Sequence, residues 1–237
     1  QEGIRIPVIR IREKGRLIPS VLDLLLDNTR VPQEREGDLT AQMSANLIGL
    51  LRIQEAYGRN KDKLEVCMKE LVAYSERRVR TVVNSLPDGE YCYTDYVDGC
   101  GDKYPDPLPI KVKITITGDQ MTFDFTGSAK QIKAPINVPY PCTKAAVFFS
   151  VKALMGDDIP ANGGINRAIK IIAPKGCIVN PEEPSPIGAQ IDCCQRIPDA
   201  IFGALASIFP DTVIAAGNGA CTPTILAGEG AIGADSV

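Results

Sequence analysis

Three short stretches hold the side chains best suited to chemistry on a polar substrate. In Val31-Pro32-Gln33-Glu34-Arg35-Glu36-Gly37-Asp38-Leu39-Thr40-Ala41-Gln42, a carboxylate and an amide stand at the start of an apolar helical pattern. There Asp38, Gln42 and Arg30 are expected to converge on a carboxylate, amide or enolate, with Asp38 as polar anchor or proton acceptor. Asp38 suits an ordinary helix N-cap equally well, with Gln42 one turn further on. Phe123-Asp124-Phe125-Thr126-Gly127-Ser128 ends a strand pattern. Alternation turns Phe123 and Phe125 to a core and Asp124 outward or into a cleft, with Ser128 in the polar turn beyond. Asn162-Gly163-Gly164-Ile165-Asn166-Arg167 places Asn162, Asn166 and Arg167 on a Gly-Gly loop, where backbone N–H groups can meet an anion. Gln42, Asn162 and Asn180 are candidate donors to a substrate oxygen, and Arg30 or Arg167 candidate partners of a carboxylate or phosphate. Asn, Asp, Gly and Ser also dominate ordinary turns for steric reasons, so each stretch has a purely structural reading beside the chemical one.

The elements that must position these residues follow from periodicity. Ile4, Ile6, Val8, Ile9 and Ile11, interleaved with Arg5, Arg10 and Arg12, predict a half-buried strand turned by Lys14-Gly15-Arg16. A helix is expected from Ser20 as N-cap, with Leu22, Leu25 and Leu26 inward, and it must end before Pro32, which pushes its preceding residue out of the helical region. Leu39, Met43, Leu47, Leu50 and Leu51 predict a helix over residues 37–57, and a second stripe containing Leu64, Leu71, Val79 and Val83 predicts another over 63–85. The break at Gly58-Arg59-Asn60 argues for an antiparallel hairpin. Beyond Pro87-Asp88-Gly89 the pattern turns to strands at 90–95, 110–117 and 120–125, the last two flanking the hairpin signal Gly118-Asp119. Further helices are expected at 143–155 and 197–209, and further strands at 168–173, 178–179 and 212–216. The fold class is α+β: an N-terminal strand and helical hairpin over residues 1–86, then a mixed, largely antiparallel sheet with packed helices over 87–237.

Composition narrows the function. With 237 residues, 44% hydrophobic and 23% charged, the chain is globular, and its formal charge of −3 gives no reason to expect nucleic acid or an acidic membrane as partner. The basic run Arg77-Arg78-Val79-Arg80 reads as a solvated helix face. No apolar run reaches the roughly 18 residues of a membrane span. Eight cysteines invite a disulfide reading, but a chain this rich in core segments does not need staples. Cys67, Cys92 and Cys142 read as small buried hydrophobes in a reducing cytoplasm. The vicinal Cys193-Cys194 lacks CxxC spacing and is taken as structural. There is no histidine, so a Ser-His-Asp triad, a Cys-His dyad or a His-ligated metal cannot be built from this chain alone. Asp95, Asp98 and Asp102, with Cys100 among them, do not match EF-hand spacing, and no metal ligands are assigned. Gly217-Asn218-Gly219 lacks the third glycine of a dinucleotide fingerprint, and no GK[ST] phosphate loop is present, so ATP is not placed on this chain. The opening Gln1-Glu2-Gly3, running directly into a strand pattern, leads us to expect a fragment of a longer protein.

An ordered set of landmarks resembles the hydantoinase B/oxoprolinase family. They are Glu2-Gly3-Ile4-Arg5-Ile6-Pro7, Asn28-Thr29-Arg30-Val31-Pro32, Gly37-Asp38-Leu39-Thr40-Ala41-Gln42, Leu86-Pro87-Asp88-Gly89, Asp124-Phe125-Thr126-Gly127-Ser128, Ile159-Pro160-Ala161-Asn162-Gly163-Gly164 and Val179-Asn180-Pro181. The resemblance implies part of a B-type subunit of an ATP-dependent hydrolase of cyclic amides such as hydantoin or 5-oxoproline, within a hetero-oligomer. It also implies a kinase-like, hydantoinase A-type partner that binds ATP and phosphorylates the substrate's amide or ketone oxygen. An unactivated lactam carbonyl is a poor electrophile, and a phosphate leaving group lowers the later barrier. A subunit of an acetone or acetophenone carboxylase and a non-catalytic assembly module are the alternatives. Family members are longer, and their N-terminal portion carries His/Asp positions resembling a divalent-metal site. With that portion absent, the fragment alone is expected to be inactive. Asp95, Asp98 and Asp102, with Cys100 inserted, depart from the run of Asp usual in members.

Overall fold

The computed structural model describes residues 6–156, 158–217 and 219. β1 (Arg12–Glu13) and β2 (Arg16–Leu17) form a short antiparallel hairpin, with Arg12 opposite Leu17 and Glu13 opposite Arg16. Its turn residues Lys14 and Gly15 both have positive φ, 48° and 80°, the twist a two-residue hairpin turn requires. The strand expected over 4–11 is corrected: residues 6–11 carry none, and residues 4 and 5 lie outside the described residues. Val8 is fully exposed, so the alternation there has no core to face.

α1 (Pro19–Asp27) begins one residue before the expected cap, with Ile18 as N-cap and a proline in the first turn, where its missing N–H costs nothing. At its other end Asn28 Nδ2 donates to the Leu24 carbonyl (2.8 Å) and Thr29 Oγ1 to that of Leu26 (3.0 Å). These satisfy carbonyls that a helix terminus leaves without partners. α2 (Pro32–Asn60) also opens on a proline, with Glu34 in its first turn, where the helix dipole favours an anion. It starts five residues earlier than expected, which places Asp38 in the second turn and removes the N-cap reading. Gly58 sits inside α2; the break falls at Lys61, held at φ 43°, before α3 (Asp62–Asn84). α2 buries no residue, and Leu47, Ile48, Leu50, Leu51 and Ile53 are each 45–62% exposed. α3 is exposed at Val66 and Met68 but buries Ser75, Val79 and Val83 near its C-terminal end.

Four strands make one sheet in the order β3 (Gly89–Val97), β4 (Leu108–Thr117), β5 (Gln120–Asp124) and β6 (Ile169–Ile172). Gly118, at φ 57°, opens the two-residue β4–β5 turn, the position at which a type II′ turn needs glycine. Ile110, Val112, Ile114 and Ile116 are buried while Lys111 and Lys113 are exposed, so period-two alternation assigns β4 one core face. The remaining helices are α4 (Tyr140–Met155), α5 (Ile165–Ala168) and α6 (Gln190–Leu205), and the architecture is α+β. α6 begins seven residues before the expected start and runs through Pro198. Its buried face, Cys193, Ile197, Ala200 and Ile201, outweighs the one hydrogen bond that the proline removes. Ile178 and Val179 are buried but lie in a turn beside the isolated bridges of Cys177 to Lys130 and Asn180. Residues 212–216 are irregular; both strand expectations are corrected.

The chain divides into two compact units. The first contains the described residues up to Gly89, with Ile116–Thr122 and Met155–Lys170; the second contains Glu90–Thr115, Phe123–Leu154 and the described residues from Ile171. Within the first, Gly164 lies hard against α3. A Cβ there would sit 2.1 Å from the Val72 carbonyl oxygen and 2.8 Å from the Glu76 nitrogen. Its φ of −65° is open to any residue, so the demand for glycine is one of close approach alone. Gly164→Ala is expected to cost about 2–3 kcal/mol through overpacking against backbone that cannot yield. Gly163→Ala, with nothing within 4 Å of its Cβ, should cost no more than about 0.5 kcal/mol. Urea unfolding of the two variants checks the contrast.

Candidate functional site

The junction of α1 and α2 in the first unit encloses a pocket of about 350 Å³, at the small end of the range for sites that hold small molecules. Its apolar lining is Ile6 before the hairpin, Leu25 and Leu26 from α1 and Leu39 from α2. Its polar lining is Asn28 and Thr29 from the end of α1 and Arg35, Asp38 and Gln42 from α2. Positions 35, 38, 39 and 42 recur at helical spacing, so one stripe of α2 supplies a cation, an anion, a leucine and an amide to the same wall. Arg35 Nη1 donates to Asp38 Oδ2 at 2.6 Å, with both side chains about half exposed. Among the described residues the lining thus carries one positive and one negative group, already joined to each other.

Asp38 and Gln42 therefore share a pocket as expected from their spacing. Arg30 does not line it; it is exposed, and Arg35 takes the place of the guanidinium. Sequence reasoning missed Arg35 because the helix was started at residue 37. A start at Pro32 puts Arg35 one turn before Asp38 and makes the pair visible.

Asn162 and Arg167 lie elsewhere in the same unit, strapped to α3. Asn162 Nδ2 donates to Ser75 Oγ (2.8 Å), its Oδ1 accepts from the Gly164 N–H (2.8 Å), and Ser75 Oγ donates to the Pro160 carbonyl (3.1 Å). Arg80 donates twice to Glu76 Oε1 (3.0 Å each) and once to the Arg167 carbonyl (2.9 Å), and stands 3.2 Å from Asp119. Arg167 Nη1 reaches Glu76 Oε2 at 3.4 Å. Asn162 and Arg167 thus each donate to α3, which holds the loop against that helix.

The hydrogen bonds from Arg80 hold the Glu76 carboxyl below its ordinary value against an opposing desolvation, with Arg167 adding to the effect. A depressed native value means that the unfolded chain binds the proton more readily. The contribution of Glu76 is then fully present above the ordinary carboxylate range and is lost as pH falls through the native value. A carboxyl-carbon NMR titration should place Glu76 below the exposed glutamates, and Arg80→Gln should return it toward them.

In the second unit Asp124 Oδ1 accepts from the Thr126 N–H (2.8 Å), Ser128 Oγ bridges the Lys111 N–H (3.0 Å) and carbonyl (3.1 Å), and Asn180 Nδ2 donates to the Ala173 carbonyl (2.7 Å). Each side chain stabilises backbone around the sheet. A second pocket, of about 360 Å³, lies beside Arg196 and is lined in part by Asp98, Cys100 and Asp192. Arg196 pairs with Asp95 (3.4 Å) and Asp199 and donates to the Gly217 carbonyl (2.8 Å). A Cβ on Gly219 would lie 2.2 Å from its Nε, so glycine lets that loop pack on the guanidinium. Arg196 too escaped sequence reasoning, because residues 190–196 were not assigned to a helix. Among the described residues no group of three or more Cys, Asp or Glu is disposed to hold a metal.

The seven described cysteines are free thiols. Burial pushes Cys193 up to about 12, with Cys194 and Cys177 raised for the same reason. Cys67 and Cys92 are exposed, correcting their buried reading, and Cys221 lies outside the described residues.

The geometry defines an α+β protein with a pocket at a helix junction. The chain belongs to the hydantoinase B/oxoprolinase family, whose sequence profile matches residues 1–234. It is 38% identical to an uncharacterised protein of Methanocaldococcus jannaschii over 97% of this chain and 40% of that protein. It is 28% identical to the caprolactamase subunit beta of Pseudomonas jessenii, over 90% of this chain and 37% of the relative. The crystal structure of the ATP-dependent caprolactamase from Pseudomonas jessenii superposes with a TM-score of 0.82 at 27% identity, covering 89% of this chain and 37% of that one. An acetone carboxylase structure shares the fold, with a TM-score of 0.81 at 14% identity over 89% of this chain and 30% of that one. The chain spans about two fifths of the length of the relatives named here. No helix among the described residues is long and apolar enough to cross a membrane.

Proposed function

We propose that this chain forms part of the B-type subunit of an ATP-dependent cyclic-amide hydrolase and takes the substrate ring into the α1–α2 pocket. The observation that carries this reading is that apolar Leu25, Leu26 and Leu39 line one pocket together with Asp38 and Gln42. Ring methylenes would lie on the leucines. The Gln42 amide would donate to the ring oxygen, and Asp38 would accept the ring N–H or a proton from attacking water. The likeness to a caprolactamase subunit supports an amide-ring substrate. A kinase-like, hydantoinase A-type partner would bind ATP and phosphorylate the amide oxygen, since this chain has no phosphate loop. A divalent metal would belong to polypeptide beyond the span covered here, because the described residues gather no ligand set. Free thiols are compatible with a cytoplasmic hetero-oligomer. Of the residues first singled out, Asp38 and Gln42 remain ligand-facing and Arg35 joins them. Arg30 stands outside the lining, and Asp124, Ser128, Asn162, Arg167 and Asn180 act as structural supports.

A second reading, an assembly module that docks the partner subunit, is favoured by the apolar side chains that α2 leaves exposed. Phosphate release from ATP by the complete complex separates the alternatives. Hydantoin or a lactam should stimulate release, Asp38→Asn and Gln42→Ala should each lower turnover by about ten- to hundredfold, and Arg167→Gln should stay within about twofold of the parent. Stimulation by acetophenone with bicarbonate instead would establish the carboxylase. Silence with every substrate would favour the assembly module.

A further inference from the structure

We infer that the α1–α2 pocket selects uncharged rings and rejects those bearing a carboxylate, with Asp38 setting this preference by occupying Arg35. The inference rests on the reading of this pocket as the ring site. Among the described residues Arg35 is the one cation in the pocket lining, and its Nη1 is given to Asp38 at 2.6 Å. A ring carboxylate could pair with Arg35 only by displacing Asp38 or by sharing the guanidinium with it, and either arrangement sets two anions against one cation. A neutral ring meets no such opposition: its apolar edge covers Leu25, Leu26 and Leu39, its carbonyl accepts from the Gln42 amide, and its N–H donates to Asp38.

Three ligands of one ring size isolate the charge: 2-pyrrolidinone, 5-oxoproline and 5-oxoproline amide. Each is titrated into the 237-residue chain while the backbone amide resonances of Leu39 and Gln42 are followed by NMR. The two neutral rings are expected to shift these resonances, with 5-oxoproline binding at least about tenfold more weakly than its own amide. Asp38→Asn frees Arg35 and should raise the affinity for 5-oxoproline about tenfold relative to that for its amide. Arg35→Gln should weaken 5-oxoproline further. Opposite signs from two neighbouring substitutions, each checked for an intact spectrum, would not arise from a general loss of structure. If 5-oxoproline binds as tightly as its amide, or if Asp38→Asn leaves their ratio unchanged, the charge selection is overturned while the pocket stands as the ring site. If no ring shifts Leu39 or Gln42, the pocket reading itself is overturned, and this inference with it.

Discussion

Pro32 lacks a backbone N–H and forces Val31 out of the helical region, so α1 must close before it and α2 can open on it. From that boundary helical spacing does the rest. Arg35, Asp38, Leu39 and Gln42 fall on one stripe, and Leu25 and Leu26 of the preceding helix complete the wall that they face. The side chains at the end of α1 serve the same junction: Asn28 and Thr29 satisfy the last carbonyls of that helix and also line the pocket. A pocket in this place needs neither a long loop nor a buried charge. It needs a helix stop and a helix start one short linker apart.

The other polar motifs show how residues suited to chemistry can be consumed by architecture. Gly164 packs so closely on α3 that no side chain fits, and this approach is secured by Asn162, Ser75 and the Arg80–Glu76 network. Ser128 and Asn180 each tie backbone that would otherwise leave polar groups unpaired. These residues serve the sheet and the helix pair; the α1–α2 pocket is where a side-chain amide and a carboxylate share a lining with leucines.

The α+β class, the long helix pair and the β4–β5 hairpin were legible because each rests on a local period or a turn residue: Leu39 to Leu51 at helical steps, Gly118-Asp119 between β-rich runs. The co-location of Asp38 and Gln42 was legible for the same reason. What escaped depended on boundaries and partners. Starting α2 at Gly37 hid Arg35, and starting the last helix at Ile197 hid the turns that carry Arg196. Ile4 to Ile11 alternate like a strand, yet residues 6–11 form none, and Ile11 meets the β1–β2 hairpin through its carbonyl, which accepts from the Ile18 N–H (3.0 Å). Ile178 and Val179 are apolar and buried within a turn, and burial alone does not distinguish such a turn from a strand.

The central claim is that a cyclic amide seats on Leu39 and Gln42 at the α1–α2 junction. Crystals of the chain grown with hydantoin test it most directly. The account predicts ring density between α1 and α2, within hydrogen-bond distance of the Gln42 amide. Density confined to the pocket beside Arg196 in the second unit would contradict it.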